Sequence, residues 1–135
     1  MIIPFGLPQV FRPGADTAEN ADSLAALLEG LIAQNEVYRR YHAAPLLYES
    51  GVVYGRTLEW ENILAVRVRG YGDCKSLSAW LISDYRHVKK IPAKAVFRWI
   101  ELPGGRRDFH ILVQTKKGFE CPSRKLGMGK ELSLV

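Results

Sequence analysis

The apolar residues of this chain change their period part-way along it, and that change limits the fold more than any other feature. In "ADTAENADSLAALLEGLIAQNEVYRRYH", Leu24, Leu27, Leu28, Leu31 and Ile32 return every three or four positions. That spacing predicts a helix from about Thr17 to Tyr41 with one buried stripe. "SLSAWLISDYRHV" repeats it at Leu77, Trp80, Leu81 and Tyr85 and predicts a second helix from Ser76 to about Val88. Lys89 and Lys90 follow, where positive charge suits the dipole. Beyond Pro92 the pattern is different. "AKAVFRWIEL" and "RDFHILVQT" are rich in Val, Ile, Phe and Trp and are joined by "PGGR", which predicts a β-hairpin. "KKG" then turns the chain into a third short strand, "FECP". Helices followed by meandering strands make an α+β plan.

The remaining segments are less regular. Residues 1–15 contain Pro4, Pro8 and Pro13 and predict an extended N-terminal arm, leaving 16–135 as a single domain. Asp16 and Asp22 are both candidate caps of the first helix, and Gly30 weakens its continuity. Pro45 stops that helix, and Gly51 and Gly55 bracket a short strand or turn at Val52-Val53-Tyr54. "EWENILAVRVR" fits helix or strand, with a short helix leading into the glycine-rich turn preferred.

Composition excludes several classes. With 47% hydrophobic and 24% charged residues the chain reads as an ordinary globular protein. Its net charge of +5 invites a nucleic-acid reading, but the basic residues are scattered or in short pairs such as Lys89-Lys90 and Lys116-Lys117. No stripe interleaved with aromatics is visible, which points away from nucleic acid. No segment is long and apolar enough for a membrane span, and Pro4 and Pro8 interrupt an N-terminus that lacks a basic start, so neither a signal peptide nor a membrane partner is expected. Cys74 and Cys121 form no disulfide framework, and a cytoplasmic setting with free thiols is the default.

Chemistry concentrates in "GYGDCKSLSAW", residues 70–80. Gly70 and Gly72 let the chain turn sharply into the second helix, placing Cys74 in its first turn. There, unpaired N–H groups and the dipole favour a thiolate. A nucleophile also needs a base. His110 lies in "DFHILV", where strand alternation sets His110, Leu112 and Gln114 on one face and Phe109, Ile111 and Val113 on the other. A helix-start cysteine beside such a histidine is the pair used in thiol acyl transfer. His42 and His87, in polar helix-end contexts, read as surface residues.

These segments resemble the transglutaminase-like cysteine protease superfamily. "GYGDCKSLSAWLISDYRHVKKIPAKAVF" is similar to that superfamily's cysteine turn, helix and following strand, and "RDFHILVQTKKGFECPSRKLGM" to its histidine strand and the strand bearing the third catalytic residue. "PLLYESGVVYGRTLEWENI" is similar to the lead-in of a small, mainly phage-encoded subgroup, so the resemblance covers about residues 45–128.

The resemblance implies a papain-like fold, with the nucleophile helix packed on an antiparallel sheet, acting on a protein or peptide substrate. It makes Cys74 the nucleophile, with its own N–H as an oxyanion donor, and His110 the general base. At the third position the family's aspartate is replaced by Cys121, with Glu120 beside it but expected on the opposite strand face. Three outcomes stay open. The first is a Cys–His dyad with weakened orientation. The second is a Cys74–His110–Cys121 zinc site. The third is a noncatalytic scaffold, such as a phage assembly or virion component, working in the host cytoplasm or the virion. A Cys74–Cys121 disulfide does not suit triad geometry. Trp60 and Tyr71 are candidates to line the cleft, and Asp73 to cap the helix. No cofactor or calcium motif is present, and the acyl acceptor, water or an amine, stays open.

Overall fold

The computed structural model describes residues 2–3, 17–101 and 107–128. Helix α1 (Thr17–Tyr41) follows the predicted stripe: Leu24, Leu28, Leu31 and Ile32 are buried. Asp22 lies inside the helix rather than at its cap, and Asp16 falls outside the described residues. The helix runs through Gly30 because that position faces open space, so the missing side chain leaves no hole.

Before α1, strand β1 (Ile2–Ile3) pairs antiparallel with β3 (Trp60–Glu61), so this part of the N-terminal segment adds to the body of the domain. The rest of the predicted arm lies outside the described residues. After α1 come a single 3-10 turn at Leu47–Glu49 and β2 (Val53–Tyr54). The ambiguous segment resolves into β3 followed by helix α2 (Ile63–Arg69). The N-terminus of α2 is well satisfied: Asn62 Oδ1 accepts from Ala65 N at 3.2 Å, and Asn35 Oδ1 on α1 accepts from Ile63 N at 2.9 Å.

Strand β4 (Tyr71–Gly72) runs parallel to β2 and leads into α3 (Cys74–Ser83). Every residue of α3 from Lys75 to Ser83 is buried, with Leu77, Ala79, Trp80 and Ile82 at zero exposure. A helix apolar around most of its circumference belongs in a core. Here α1, α2 and a later strand all pack on it. Each large apolar side chain so buried contributes about 1.5–3 kcal/mol.

The α3 helix ends earlier than its period suggests. Residues Asp84–Val88 widen into a π-helical turn, closed by Lys89 N donating to Asp84 O at 3.0 Å. Asp84 explains the junction. Its buried carboxylate pairs with Arg39 of α1 and accepts from Leu47 N at 2.7 Å.

The hairpin forms as predicted, although the residues of its "PGGR" loop lie outside the described set. Strands β5 (Lys94–Glu101), β6 (Arg107–Thr115) and β7 (Gly118–Glu120) make an antiparallel sheet in the order β5-β6-β7. Ile111 and Val113 are fully buried against α3, and Ala95, Phe97 and Phe109 pack on the same core. A short helix, α4 (Pro122–Lys125), follows β7 and also packs on α3. The molecule is thus a mixed helix and sheet structure with helices on one face of a small antiparallel sheet. Among the described residues no helix is long and apolar enough to cross a membrane.

Candidate active site

The turn into α3 depends on one of its two glycines. Gly70 ends α2 at φ +88°, a left-handed conformation that costs a side-chain-bearing residue energy, and its N–H returns to Val66 O at 2.7 Å. Gly72 carries no such requirement: a Cβ there would meet Val66 and Ser76 at 3.4 Å, an ordinary contact.

Cys74 then occupies the first position of α3, half-buried. Asp73 is the cap, its side chain accepting from Lys75 N at 3.1 Å and Ser76 N at 3.4 Å. The same carboxylate pairs with the buried Lys75 ammonium, which also donates to Thr57 O at 3.3 Å and sits 5.7 Å from the Trp60 ring centroid. Burial pushes the Asp73 carboxyl up, against the charge of Lys75.

Trp60 is therefore a buried wall behind the helix start rather than an open lining residue. Tyr71 is partly exposed and stacks under Arg69, and its ring sits so close to Gly55 that a Cβ there would lie 2.5 Å from it. Tyr54, which sequence reasoning did not select, pairs with Gly72 across the parallel β2–β4 contact. Burial raises its hydroxyl pKa, the charges of Cys74 and Asp73 raise it further, and a hydrogen bond with Arg56 works against them.

His110 lies on β6, the strand against which α3 packs, so the helix carrying Cys74 and the strand carrying His110 form one packed unit. The alternation expected along β6 is present: Ile111 and Val113 are buried, while His110, Leu112 and Gln114 are half-buried. His110 Nε2 lies 3.0 Å from Cys121 Sγ. Cys121 is itself the cap of α4, its Sγ accepting from Arg124 N at 3.4 Å. Neither cysteine is in a disulfide.

Glu120, one residue earlier, points elsewhere. Register pairs it with the inward-facing Val113, and its carboxylate accepts from the hydroxyls of Tyr48 and Tyr85 and from Lys125 Nζ at 2.9 Å. Burial acts to raise this carboxyl, but those three donors outweigh it and hold it below the usual range. In return, burial and then Glu120 push both tyrosine hydroxyls far up. No slip or bulge brings Glu120 round to the imidazole; Val113↔Glu120, Gln114↔Phe119 and Thr115↔Gly118 stay in register. Among the described residues no group of three or more His, Cys, Asp or Glu is arranged to hold a metal ion, so a Cys74–His110–Cys121 zinc centre is not formed there.

A cleft of about 680 Å³ opens beside this pair, with Cys121 in its wall. Tyr85 and Lys89 of the π-helical turn, the edge strand β7 and α4 make up much of the rest. Comparison of the chain with family models, with curated proteins and with solved structures finds no match.

Proposed function

We propose that the protein carries out thiol acyl transfer on amide bonds in a transglutaminase-like, papain-like arrangement, with Cys74 as nucleophile and His110 as base. The observation that carries this reading is the 3.0 Å contact between His110 Nε2 and Cys121 Sγ. It pairs the base with the residue standing third in the motif order, on the strand that supports the Cys74 helix. Supporting it, Cys74 sits at the first turn of a ten-residue helix, where the dipole favours a thiolate.

In this mechanism Cys74 gives its proton to His110, and the sulfur attacks the amide carbonyl carbon. The C–N bond then breaks, and the leaving amine takes the proton from His110, leaving a thioester on Cys74. Water or a second amine attacks the thioester, again deprotonated by His110, and releases the thiol. With Nε2 turned to Cys121, the proton exchange with Cys74 runs through Nδ1. The Cys74 N–H is the first donor to the developing oxyanion. Cys121 orients the ring.

A noncatalytic scaffold is the second reading, and one observation favours it: a thiol rather than a carboxylate faces the imidazole. Iodoacetamide alkylation, mapped to Cys74 by mass spectrometry across a pH series, separates the two. Catalysis requires Cys74 to react rapidly already near about pH 6 and to lose that reactivity in His110→Ala. A Cys74 profile rising only around the ordinary thiol value of about 8.5 sinks the enzyme reading and leaves the scaffold.

A further inference from the structure

Five of the nineteen basic residues that look scattered along the sequence gather in one place. Lys89 follows the π-helical turn, Lys116 and Lys117 form the β6–β7 turn, and Arg124 and Lys125 lie on α4. All five line the cleft beside Cys121, and the only acidic side chain lining it is Glu120. That carboxylate is already engaged by Tyr48, Tyr85 and Lys125. Lys89, Lys116, Lys117 and Arg124 are all exposed, so the cleft carries most of the molecule's net charge of +5.

The cleft is also apolar in part and has a strand for one wall. Phe119 and Ile91 line it and are 55% and 37% exposed. Gly118, Phe119 and Glu120 are β7, the outermost strand of its sheet, which pairs only with β6 among the described residues. An open strand edge accepts an extended chain by main-chain hydrogen bonding, with alternate side chains meeting the walls. Exposed lysines at a sheet edge often serve only to keep other strands away. Here they surround a concavity of ligand-binding size whose wall includes Cys121, the residue that faces the His110 imidazole.

We propose that this cleft binds an acidic peptide segment in extended form, laid along β7 with its carboxylates on Lys89, Lys116, Lys117 and Arg124. This rests on the acyl-transfer reading, for which it names the substrate: a protein whose acidic stretch docks next to the amide to be attacked. A single-stranded nucleic acid is the poorer fit. It calls for successive stacking rings along a charged track, and of the two rings lining this cleft Tyr85 is held by Glu120, leaving Phe119.

The test uses fluorescence anisotropy with a labelled peptide of alternating glutamate and valine. The protein is the full chain carrying Cys74→Ala, so binding is read without turnover. The acidic peptide is expected to bind at least about tenfold more tightly than its lysine–valine counterpart and than a thymidine oligonucleotide of equal charge. Raised salt should weaken it, and Lys116→Glu/Lys117→Glu and, separately, Lys89→Glu should each lower its affinity about tenfold. Equal binding of the lysine peptide, tighter binding of the oligonucleotide, or indifference to both charge reversals overturns the proposal. Peptide binding together with an unreactive Cys74 in the unaltered protein would sink the acyl-transfer reading alone. A reactive Cys74 without peptide binding would sink the cleft alone.

Discussion

At the scale of single residues, Cys121 occupies a place that suits a carboxylate twice over. It caps α4, a position that favours Asp, Asn, Ser and Thr, and it faces the imidazole of His110 at 3.0 Å. Cys121→Asp is expected to stabilise the protein by about 0.5–1 kcal/mol at neutral pH through the cap and to raise the turnover of an amide substrate. Thermal unfolding and steady-state rates on the same preparation check both parts. A slower Cys121→Asp enzyme would show that the sulfur does not stand in for a carboxylate. Glu120 and Cys121 diverge because Cys121, just past the end of β7, is still extended and neighbouring residues of extended chain face opposite ways, and that much could be read from the sequence. The Tyr48 and Tyr85 hydroxyls that claim Glu120 could not, since they come from the 3-10 and π-helical turns, far off in the chain.

Among the elements, α3 depends on its first turn. Asp73 both caps the helix and neutralises Lys75, whose ammonium is almost wholly removed from water. Asp73→Ala is predicted to cost about 3 kcal/mol or more, since it removes the cap and strands a buried cation. Asp73→Ser, which restores the cap alone, should recover about 1 kcal/mol of that loss. Urea unfolding at neutral pH measures both, and equal stability of the two variants would show that the cap contributes nothing. The helix itself was legible from Leu77, Trp80 and Leu81. Its widening after Ser83 was not, because periodicity carries no record of the Arg39 and Leu47 groups that hold Asp84.

Over the whole molecule, the Arg39–Asp84 pair ties α1, the segment before the 3-10 turn and the end of α3 together. Arg39 also donates to Ala44 O at 3.2 Å. Burial pushes the Asp84 carboxyl from 3.8 up to about 6 even with Arg39 and the Leu47 N–H opposing it. Arg39→Ala leaves the Leu47 N–H but removes the paired cation, and should destabilise the protein by about 3–5 kcal/mol at pH 8. A carboxyl with a raised folded pKa takes up a proton on folding, so its folded form gains stability as pH falls through that value towards 3.8. The defect of Arg39→Ala should therefore shrink between pH 8 and about pH 5. Denaturant midpoints of both proteins across that range test it; a pH-independent defect would mean that Asp84 does not titrate there.

The sequence by itself determined what depends on neighbours in the chain. Apolar periods of three to four and of two produced α1, α3 and the β5–β6–β7 meander. Gly70 and Asp73 set the entry to α3, and strand alternation separated His110 from Ile111. Only the tertiary structure decided what depends on distant partners. The parallel β2–β4 contact that seats Tyr54 beside the Cys74 turn is one case. The buried pair that reshapes the end of α3 is another, and the gathering of Lys89, Lys116, Lys117, Arg124 and Lys125 around one cleft is the largest. Charge has no period to read: where like charges converge is settled by the packing of the elements that carry them, not by their spacing along the chain.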